Sequence, residues 1–213
     1  MIPYKTPKII KKIFSGCIWD YSNTHKKHIH LTFDDGPIPD VTEFVLDELK
    51  KYNARATFFC IGDNINKHPS VFKRILSEGH SIGNHTMNHL QAWKTPTDTY
   101  VNNIILCEKQ INSHCKRMQQ PKLFRPPHGQ ITLKTYRAIK KMGYKIILWD
   151  VLSKDWEASI DREVCSLKTI KHTEEGSIVV FHDSLKAANN MKYALPKVLA
   201  HFHKNGYTFN SIT

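Results

Sequence analysis

The alternation of short apolar segments with longer amphipathic segments is the feature that most constrains this chain. Apolar, β-favouring runs occur at 28–33, 56–61, 81–82, 123–124, 145–151, 177–181 and 207–212. Segments with helical spacing of apolar residues lie between them, at 41–52, 69–78, 97–113, 132–142, 162–173 and 192–205. Strict alternation of this kind predicts a parallel sheet covered by helices. We therefore predict an α/β fold of about seven strand-helix units, either an open sheet or a small, incomplete (β/α) barrel.

The length of 213 residues fits one domain with a sizeable core. We predict an α/β domain over residues 28–213, preceded by an N-terminal extension, residues 1–27, that packs on it. The five cysteines form no CxxC pair and are odd in number, which argues against a disulfide framework and against a cysteine zinc site. Free thiols in a reducing compartment are the expectation.

The N-terminal extension contains Ile9, Ile10, Ile13 and Phe14 at roughly helical spacing, with lysines between them. These lysines interrupt any continuous apolar stretch, so we predict no secretory signal and a cytoplasmic or peripherally membrane-associated location. Packing across the domain is the favoured interpretation of the segment. The alternative is a basic amphipathic helix that lies on a membrane surface. No apolar run is long enough to predict a transmembrane segment.

The net charge of +12 and the isoelectric point near 9.5 predict a basic surface. Such a surface favours polyanions in general, among them nucleic acid, acidic lipid and anionic wall polymer, and charge alone does not choose among these. We expect weak association with anionic surfaces and no specific nucleic-acid partner.

The first predicted strand ends in the sequence TFDDGP, which places the carboxylates of Asp34 and Asp35 side by side. Asp, Gly and Pro are ordinary turn residues, so a solvated turn is the simplest interpretation. However, adjacent buried anions repel unless a cation lies beside them. The carboxyl ends of parallel strands gather at one face of a sheet, and functional sites are built there.

Polar side chains also follow the later strands. His85 and His89 follow the third strand, and histidines at i and i+4 on a helical turn share one face and can hold a metal. Arg125 and His128 follow the fourth strand, and His182 follows the sixth. Each residue alone could be structural. Their common position at strand ends predicts a functional site.

At this point the sequence resembles the NodB-homology polysaccharide deacetylases, of the carbohydrate esterase family 4 type. The resemblance is carried by TFDDGP (32–37), HTMNH (85–89), RPPHG (125–129), a loop that ends in DW (150–156) and VVFHD (179–183), in that order. It extends over residues 28–213. It implies a distorted (β/α) barrel and metal-dependent removal of an N-acetyl group from an amino sugar or glycan, such as a chitooligosaccharide or peptidoglycan.

The resemblance also implies a role for each matching residue. Asp35, His85 and His89 would hold one divalent ion, zinc or else cobalt, nickel or manganese. Asp34 would be the general base and His182 the general acid that protonates the departing amine. The remaining members of the implied site are Arg125, which would orient Asp34, the backbone N–H of His128 at the oxyanion, and Pro126, Asp155 and Trp156 on the substrate side.

Two positions depart from the family pattern. His128 stands where the family usually has Tyr, and we expect this change to be tolerated because the role belongs to the main chain. Leu152 falls on the first Asp of the family's DxxDW motif, which would leave the acid histidine without the carboxylate that tunes it. Asp150 lies two residues earlier in a predicted strand, on the same side, and is predicted to take over that role for His182.

Two alternatives remain open from the sequence. A hydrolase of another amide or of an O-acetyl ester would use the same fold and the same kind of site. An inactive, polyanion-binding relative would account for the basic charge and for Leu152, but it would have no need of a base, an acid and metal ligands together.

Overall fold

The protein is described by a computed structural model that covers residues 3–22, 27–115 and 121–213. Residues 1–2 and 23–26, which belong to the predicted N-terminal extension, lie outside the described residues.

The described residues form a parallel sheet that curves into a half-barrel. Its strands are β1 (His28–Asp34), β2 (Thr57–Cys60), β3 (Ser81–Asn84), β4 (Leu123–Phe124), β5 (Lys145–Ile146), β6 (Val151–Leu152), β7 (Ile178–His182) and β8 (Thr208–Phe209). The order across the sheet is β5-β4-β3-β2-β1-β7-β6, and β8 pairs with β1. Every pairing between these strands is parallel. The predicted α/β fold is confirmed.

The segment predicted as one strand at 145–151 is instead two strands at opposite edges of the sheet. Residues 147–150 carry the chain between them, with the Ile147 N–H donating to Phe124 on one side and the Asp150 N–H donating to Ile178 on the other. Residues 147–150 are mostly apolar, like the buried strands on either side of them. The apolar pattern therefore predicts one continuous strand and does not reveal the crossing.

Helices cover the outside of the sheet. They are α1 (Lys8–Ile13), α2 (Val41–Lys51), α3 (Gly62–Lys67), α4 (Pro69–Ser77), α5 (Thr97–His114), α6 (Leu133–Lys141), α7 (Arg162–His172) and α8 (Ala188–Lys204). The short α3 was not predicted, because its polar sequence GDNINK lacks an apolar stripe. No helix of the described residues is both long and apolar enough to cross a membrane.

The core is centred on β1, whose seven residues are all buried. The Phe33 ring stacks between Phe58 on β2 and Phe181 on β7, with ring centroids 5.1 and 6.1 Å apart. Burial of these large apolar side chains stabilises the sheet. It also fixes the register of the three central strands whose carboxyl ends carry the site.

The N-terminal segment runs along the opening between the two edge strands. Isolated bridges join Lys5 to Val151, Ile18 to Ile147 and Asp20 to Ser177. The segment thus supplies backbone partners next to both β5 and β6, the two edges of the half-barrel. All five cysteines have free thiols, as predicted.

Candidate active site

The adjacent carboxylates of Asp34 and Asp35 both line one cavity at the carboxyl end of β1. In a regular strand, successive side chains point to opposite faces, so neighbouring carboxylates would be separated. Asp34 is the last residue of β1, and Asp35 leaves the strand with φ 81°, in the left-handed region. This unusual backbone conformation brings the second carboxylate to the same cavity as the first.

Arg125 is fully buried beside Asp34. Its guanidinium donates to Asp34 Oδ1 and to Thr32 Oγ1, both at 2.7 Å. It also donates to the carbonyl oxygens of Ile147, at 3.3 Å, and Leu148, at 3.0 Å. A buried cation with this set of acceptors is well compensated, so Arg125 holds the Asp34 carboxylate in one orientation.

Asp35, His85 and His89 converge on one point. One ligand atom from each lies within 4.8 Å of the others. The Nε2 atoms of His89 and His85 are 3.3 and 3.7 Å from Asp35 Oδ1. One carboxylate and two imidazoles are a donor set typical of a catalytic divalent ion that keeps open positions.

The histidines meet through a loop, and the predicted helical turn over residues 85–89 is wrong. Thr86 and His89 have positive φ values of 66° and 55°, which reverse the direction of the chain. Two N–H groups of the loop donate to Asn103 Oδ1 on α5, at 2.8 and 3.0 Å. Side-chain capping of the loop replaces the hydrogen bonds of a helix.

The protonation of His85 follows from its surroundings. Its Nδ1 lies 2.8 Å from the carbonyl oxygen of Arg125 and must donate to it, so Nε2 keeps its lone pair toward Asp35. Burial lowers the pKa of His85 to about 4, which favours this neutral form. A backbone acceptor behind a histidine is the usual arrangement for a metal ligand.

Asp35 Oδ1 is buried and has no hydrogen-bond partner among the described residues. Burial would raise the pKa of Asp35, but the charge of His182 and the neighbouring imidazoles outweighs it and lowers the pKa. A buried, ionised oxygen without a donor is costly. The three residues therefore fit a bound cation.

His182, at the carboxyl end of β7, is paired with Asp155. Its Nδ1 lies 2.8 Å from Asp155 Oδ1, and its backbone N–H donates to Asp155 Oδ2 at 2.7 Å. Burial would lower the pKa of His182, but the charge and hydrogen bond of Asp155, with smaller contributions from Asp35 and Asp34, raise it to about 9. The pairing with Asp155 therefore favours the protonated form of His182.

The role predicted for Asp150 is wrong, because its carboxylate lies far from His182 along β7. Oδ1 binds Lys11 Nζ at 2.5 Å, and Oδ2 accepts from Ser177 Oγ at 2.6 Å, at the amino end of β7. Asp155, predicted on the substrate side, occupies the place predicted for Asp150. Leu152 therefore does not deprive His182 of a carboxylate partner, because Asp155 supplies it. The side chain of Leu152 forms part of the apolar wall of the cavity.

The cavity between these groups has a volume of about 360 Å³. Its lining residues are Asp34, Asp35, His85, His89, His128, Trp149, Leu152, Trp156, Val180, His182, Ser184 and Lys186. It combines a set of possible metal ligands, a carboxylate held by an arginine, a histidine paired with a carboxylate and an apolar wall. Such an arrangement can polarise a carbonyl group, activate water and protonate a leaving group.

Residues 21–147 match the family model described as polysaccharide deacetylase. The chain belongs to the polysaccharide deacetylase family. The predicted family and enzyme class are confirmed, because the curated relatives of this chain are themselves sugar deacetylases.

Three members of the polysaccharide deacetylase family illustrate the similarity. A Bacillus cereus peptidoglycan-N-acetylglucosamine deacetylase is 38% identical over 197 residues, which are 92% of this chain and 90% of that protein. A Bradyrhizobium chitooligosaccharide deacetylase is 33% identical over 165 residues, covering 77% of this chain and 73% of that protein. The crystal structure of the Bc1960 peptidoglycan N-acetylglucosamine deacetylase has a TM-score of 0.87 and 30% identity, and covers 97% of this chain and 95% of that one.

The other predicted residues of this polysaccharide deacetylase are distributed around the cavity. Trp156 lines it and contacts His182 edge-on, with ring centroids 4.8 Å apart. His128 has φ 57°, and its imidazole lines the cavity with its centroid 4.8 Å from that of His89. Pro126 is buried and its carbonyl accepts the Gly129 N–H, so it shapes the turn that carries His128.

Sequence reasoning missed the role of Asp183, which is fully buried. Its Oδ1 accepts the Gly36 N–H at 3.0 Å, and its Oδ2 accepts from Thr42 Oγ1 at 2.6 Å. A Cβ at Gly36 would lie 1.9 Å from Asp183 Oδ2, so glycine is required there. Asp183 thus positions the loop that begins with Asp35. Its place directly after His182 in the motif was the available signal.

Proposed function

We propose that this protein is a metal-dependent deacetylase that hydrolyses the N-acetyl group of an N-acetylated hexosamine in a glycan, with peptidoglycan as the favoured class. Relatives that act on peptidoglycan and chitooligosaccharides support this substrate class. The observation that carries the proposal is Asp35 Oδ1, a buried oxygen without a donor, flanked by His85 and His89 and lying between the Asp34–Arg125 pair and the His182–Asp155 pair.

Zinc, or a similar divalent ion, is the proposed cofactor, held by Asp35, His85 and His89. The bound ion would supply Lewis-acid polarisation of the acetyl carbonyl and would lower the pKa of water. The neutral Nε2 of His85 and the partnerless oxygen of Asp35 support this assignment. The Bc1960 relative was crystallised with an N-oxidanyl-benzamide, which offers two adjacent oxygens of the kind that bind a metal.

Asp34 is the proposed general base. Arg125 engages its Oδ1, and the carboxylate lines the cavity beside Asp35. A carboxylate held in this way can accept a proton from a water molecule without reorganising during the reaction.

His182 is the proposed general acid. Its Nδ1 is occupied by Asp155, so Nε2 carries the proton available to the substrate. An amide nitrogen leaves poorly unless it is protonated, and a pKa of about 9 keeps this acid charged at neutral pH. Transfers of this kind contribute about 10²–10⁴ in rate.

The cavity wall suits a small acyl group on a sugar. Leu152, Val180 and Trp149 offer apolar surface for a methyl group, and Trp156 offers a ring face for a sugar. The proposed donor to the oxyanion is the backbone N–H of His128, in the turn that follows Pro126.

An O-acetyl ester is the second candidate substrate, because the same groups would hydrolyse it. The pairing of His182 with Asp155 favours an amide substrate over an ester. An alcohol is a better leaving group than an amine, so hydrolysis of an ester depends less on a general acid. The inactive polyanion-binding alternative leaves this set of groups without a use.

The test is acetate release from peptidoglycan fragments, N-acetylglucosamine oligomers and an O-acetylated sugar, with the metal-loaded enzyme and after chelation. We expect release from the N-acetylated substrates that is lost with chelator and restored by zinc. Release that persists undiminished after complete metal removal would contradict the metal proposal. Binding of glycan without any release of acetate would support the inactive alternative.

A further inference from the structure

The short helix α1 is held by ion pairs of the inward-facing Lys11 and by backbone hydrogen bonds on both sides of the helix. Lys11 Nζ binds Asp150 Oδ1 at 2.5 Å and Asp20 Oδ2 at 2.6 Å. On either side of the helix, the Thr6 N–H donates to the Asp150 carbonyl and the Ile18 N–H donates to Ile146. The backbone before and after α1 is therefore held on the sheet, and the orientation of the helix is set by the fold.

The face of α1 opposite Lys11 is apolar and exposed. Residues advance by about 100° along a helix, which places Ile9 and Ile13 diametrically opposite Lys11. Their exposed fractions are 63% and 67%. Ile10 and Phe14, on one flank, are exposed by 39% and 44%. No residue of α1 is buried. The favoured prediction, that these apolar side chains pack across the domain, does not hold for the helix itself.

The other flank of α1 is basic. Lys8 and Lys12 are one helical turn apart, and neither forms an ion pair with any described residue. They lie on a protein of net charge +12, so the potential around this face is positive. An apolar ridge bordered by unpaired lysines is complementary to an interface that is anionic at its surface and apolar just below it.

We propose that α1 seats the protein on an anionic lipid bilayer, with Ile9 and Ile13 inserted at the level of the headgroups and Lys8 and Lys12 on the lipid phosphates. Because the fold already holds the helix, binding requires little ordering of the chain. A soluble polyanion would use the lysines but gain nothing from the isoleucines. A second copy of this basic chain would bring like charges together around the apolar ridge.

The active-site cavity lies toward the end of β7 opposite the contact that holds α1. Lys11 holds α1 to Asp150, which is bonded to Ser177 at the amino end of β7, whereas His182 and the cavity lie at the carboxyl end of that strand. The proposal concerns this surface alone and does not depend on the deacetylase activity.

The test is cosedimentation of the full chain with vesicles of phosphatidylcholine, alone and mixed equally with phosphatidylglycerol. We expect binding to the anionic vesicles only. Ile9→Ser combined with Ile13→Ser should weaken partitioning by about tenfold or more, since each inserted methylene contributes to membrane affinity. Lys8→Gln combined with Lys12→Gln should weaken it by a similar factor and reduce its dependence on salt.

The matched control is Leu133→Ser on α6, a residue with the same 63% exposure as Ile9 on a different helix. It should bind vesicles like the wild type. All altered side chains are exposed, so melting temperatures should stay within a degree or so of the wild type, and a variant that melts early is replaced by Ile13→Ser alone.

Three results would overturn the proposal. The first is no binding of the wild type to anionic vesicles. The second is a loss with the lysine pair but none with the isoleucine pair, which would indicate a polyanion site. The third is a dimer, detected by analytical ultracentrifugation, that dissociates in the isoleucine variant and so identifies a second copy as the occupant.

Discussion

The two sides of the active-site cavity stabilise buried charge in different ways. On the acid side, His182 and Asp155 form a pair at 2.8 Å, and both carboxylate oxygens of Asp155 accept hydrogen bonds from His182. On the metal side, Asp35 Oδ1 is buried without a donor and is faced by imidazole nitrogens. The chain's own residues satisfy the charged groups of the acid side, whereas the proposed metal side leaves a buried carboxylate oxygen without a hydrogen-bond donor among the described residues.

This difference indicates what each side requires to function. The acid side should keep its geometry and its raised pKa in the metal-free protein. The metal side should be the part of the molecule that responds to metal, in affinity, stability and activity. The following changes test the two sides separately.

The largest effect is expected from His89→Ala. It removes one of the two imidazoles that face Asp35, so metal affinity should fall steeply and acetate release should drop by about 10³-fold or more. Metal content after dialysis and single-turnover acetate release are the measurements. A variant with wild-type metal content would show that His89 is not a ligand. Asn88→Ala, in the same loop, controls for disturbance of the backbone.

The second effect concerns Asp155→Asn, which is nearly isosteric and removes the charge beside His182. The charged imidazole loses its partner, so the pKa of His182 should fall from about 9 by about one to three units. The acid then loses its proton sooner, and the basic limb of the pH–rate profile should move to lower pH. Metal content should be unchanged, which separates the acid side from the metal side.

Asp150→Asn is the matched control for that change, since it alters the same type of residue in the same segment of chain. Its carboxylate contacts Lys11 and Ser177, so we expect a pH–rate profile that overlays the wild type. A shift of the basic limb in Asp150→Asn, with none in Asp155→Asn, would reverse our assignment of the tuning residue.

The third effect is expected from Asp183→Asn, which acts on the metal side from a position next to the acid. An amide has one acceptor oxygen, so the bond from the Gly36 N–H or the bond from Thr42 is lost. The Asp35 loop then loosens, and metal affinity should weaken by about tenfold. Thr42→Ser keeps the hydroxyl and should retain near wild-type affinity. Equal affinity in Asp183→Asn would assign Asp183 a purely structural role.

The same variant has a pH signature in stability. Burial raises the pKa of Asp183 to about 7, above its value in the unfolded chain. The folded protein therefore retains this proton over a range in which the unfolded chain releases it, so wild-type stability falls as pH rises toward about 7. Asn does not titrate. The difference in melting temperature between wild type and Asp183→Asn should be largest near pH 4 and narrow toward pH 7.

The smallest effect on turnover and a clear effect on stability are expected from Asp150→Asn. The variant deprives Lys11 and Lys5 of a buried anionic partner, which should lower the free energy of unfolding by about 2 kcal/mol. Chemical denaturation followed by circular dichroism measures this. Stability equal to that of the wild type would show that the ion pairs do not hold the N-terminal segment.

The sequence predicts which residues come together at the site better than it predicts which of them are hydrogen-bonded to each other. Asp34, His85, Arg125 and His182 each follow a strand that the apolar pattern predicts, and parallel strands place such residues together. The partner of His182 depends on where the chain crosses from β5 to β6. Local composition does not show that crossing. The sequence therefore predicts Asp150 within a strand, whereas the structure places it between β5 and β6. The left-handed conformation of Asp35 was equally hidden, because it results from tertiary contacts.

The path of the N-terminal segment has a consequence for the colloidal behaviour of the protein. Residues 4 and 6 pair with the chain at Leu152 and Asp150, and Ile18 pairs at Ile146 and Leu148, so one segment covers both edges of the sheet. Exposed strand edges are templates for pairing with other chains. A shortened chain that began at β1 would keep every residue of the cavity and yet present two open edges. We expect such a chain to be more prone to self-association, so residues that take no part in the chemistry protect the sheet that carries the site.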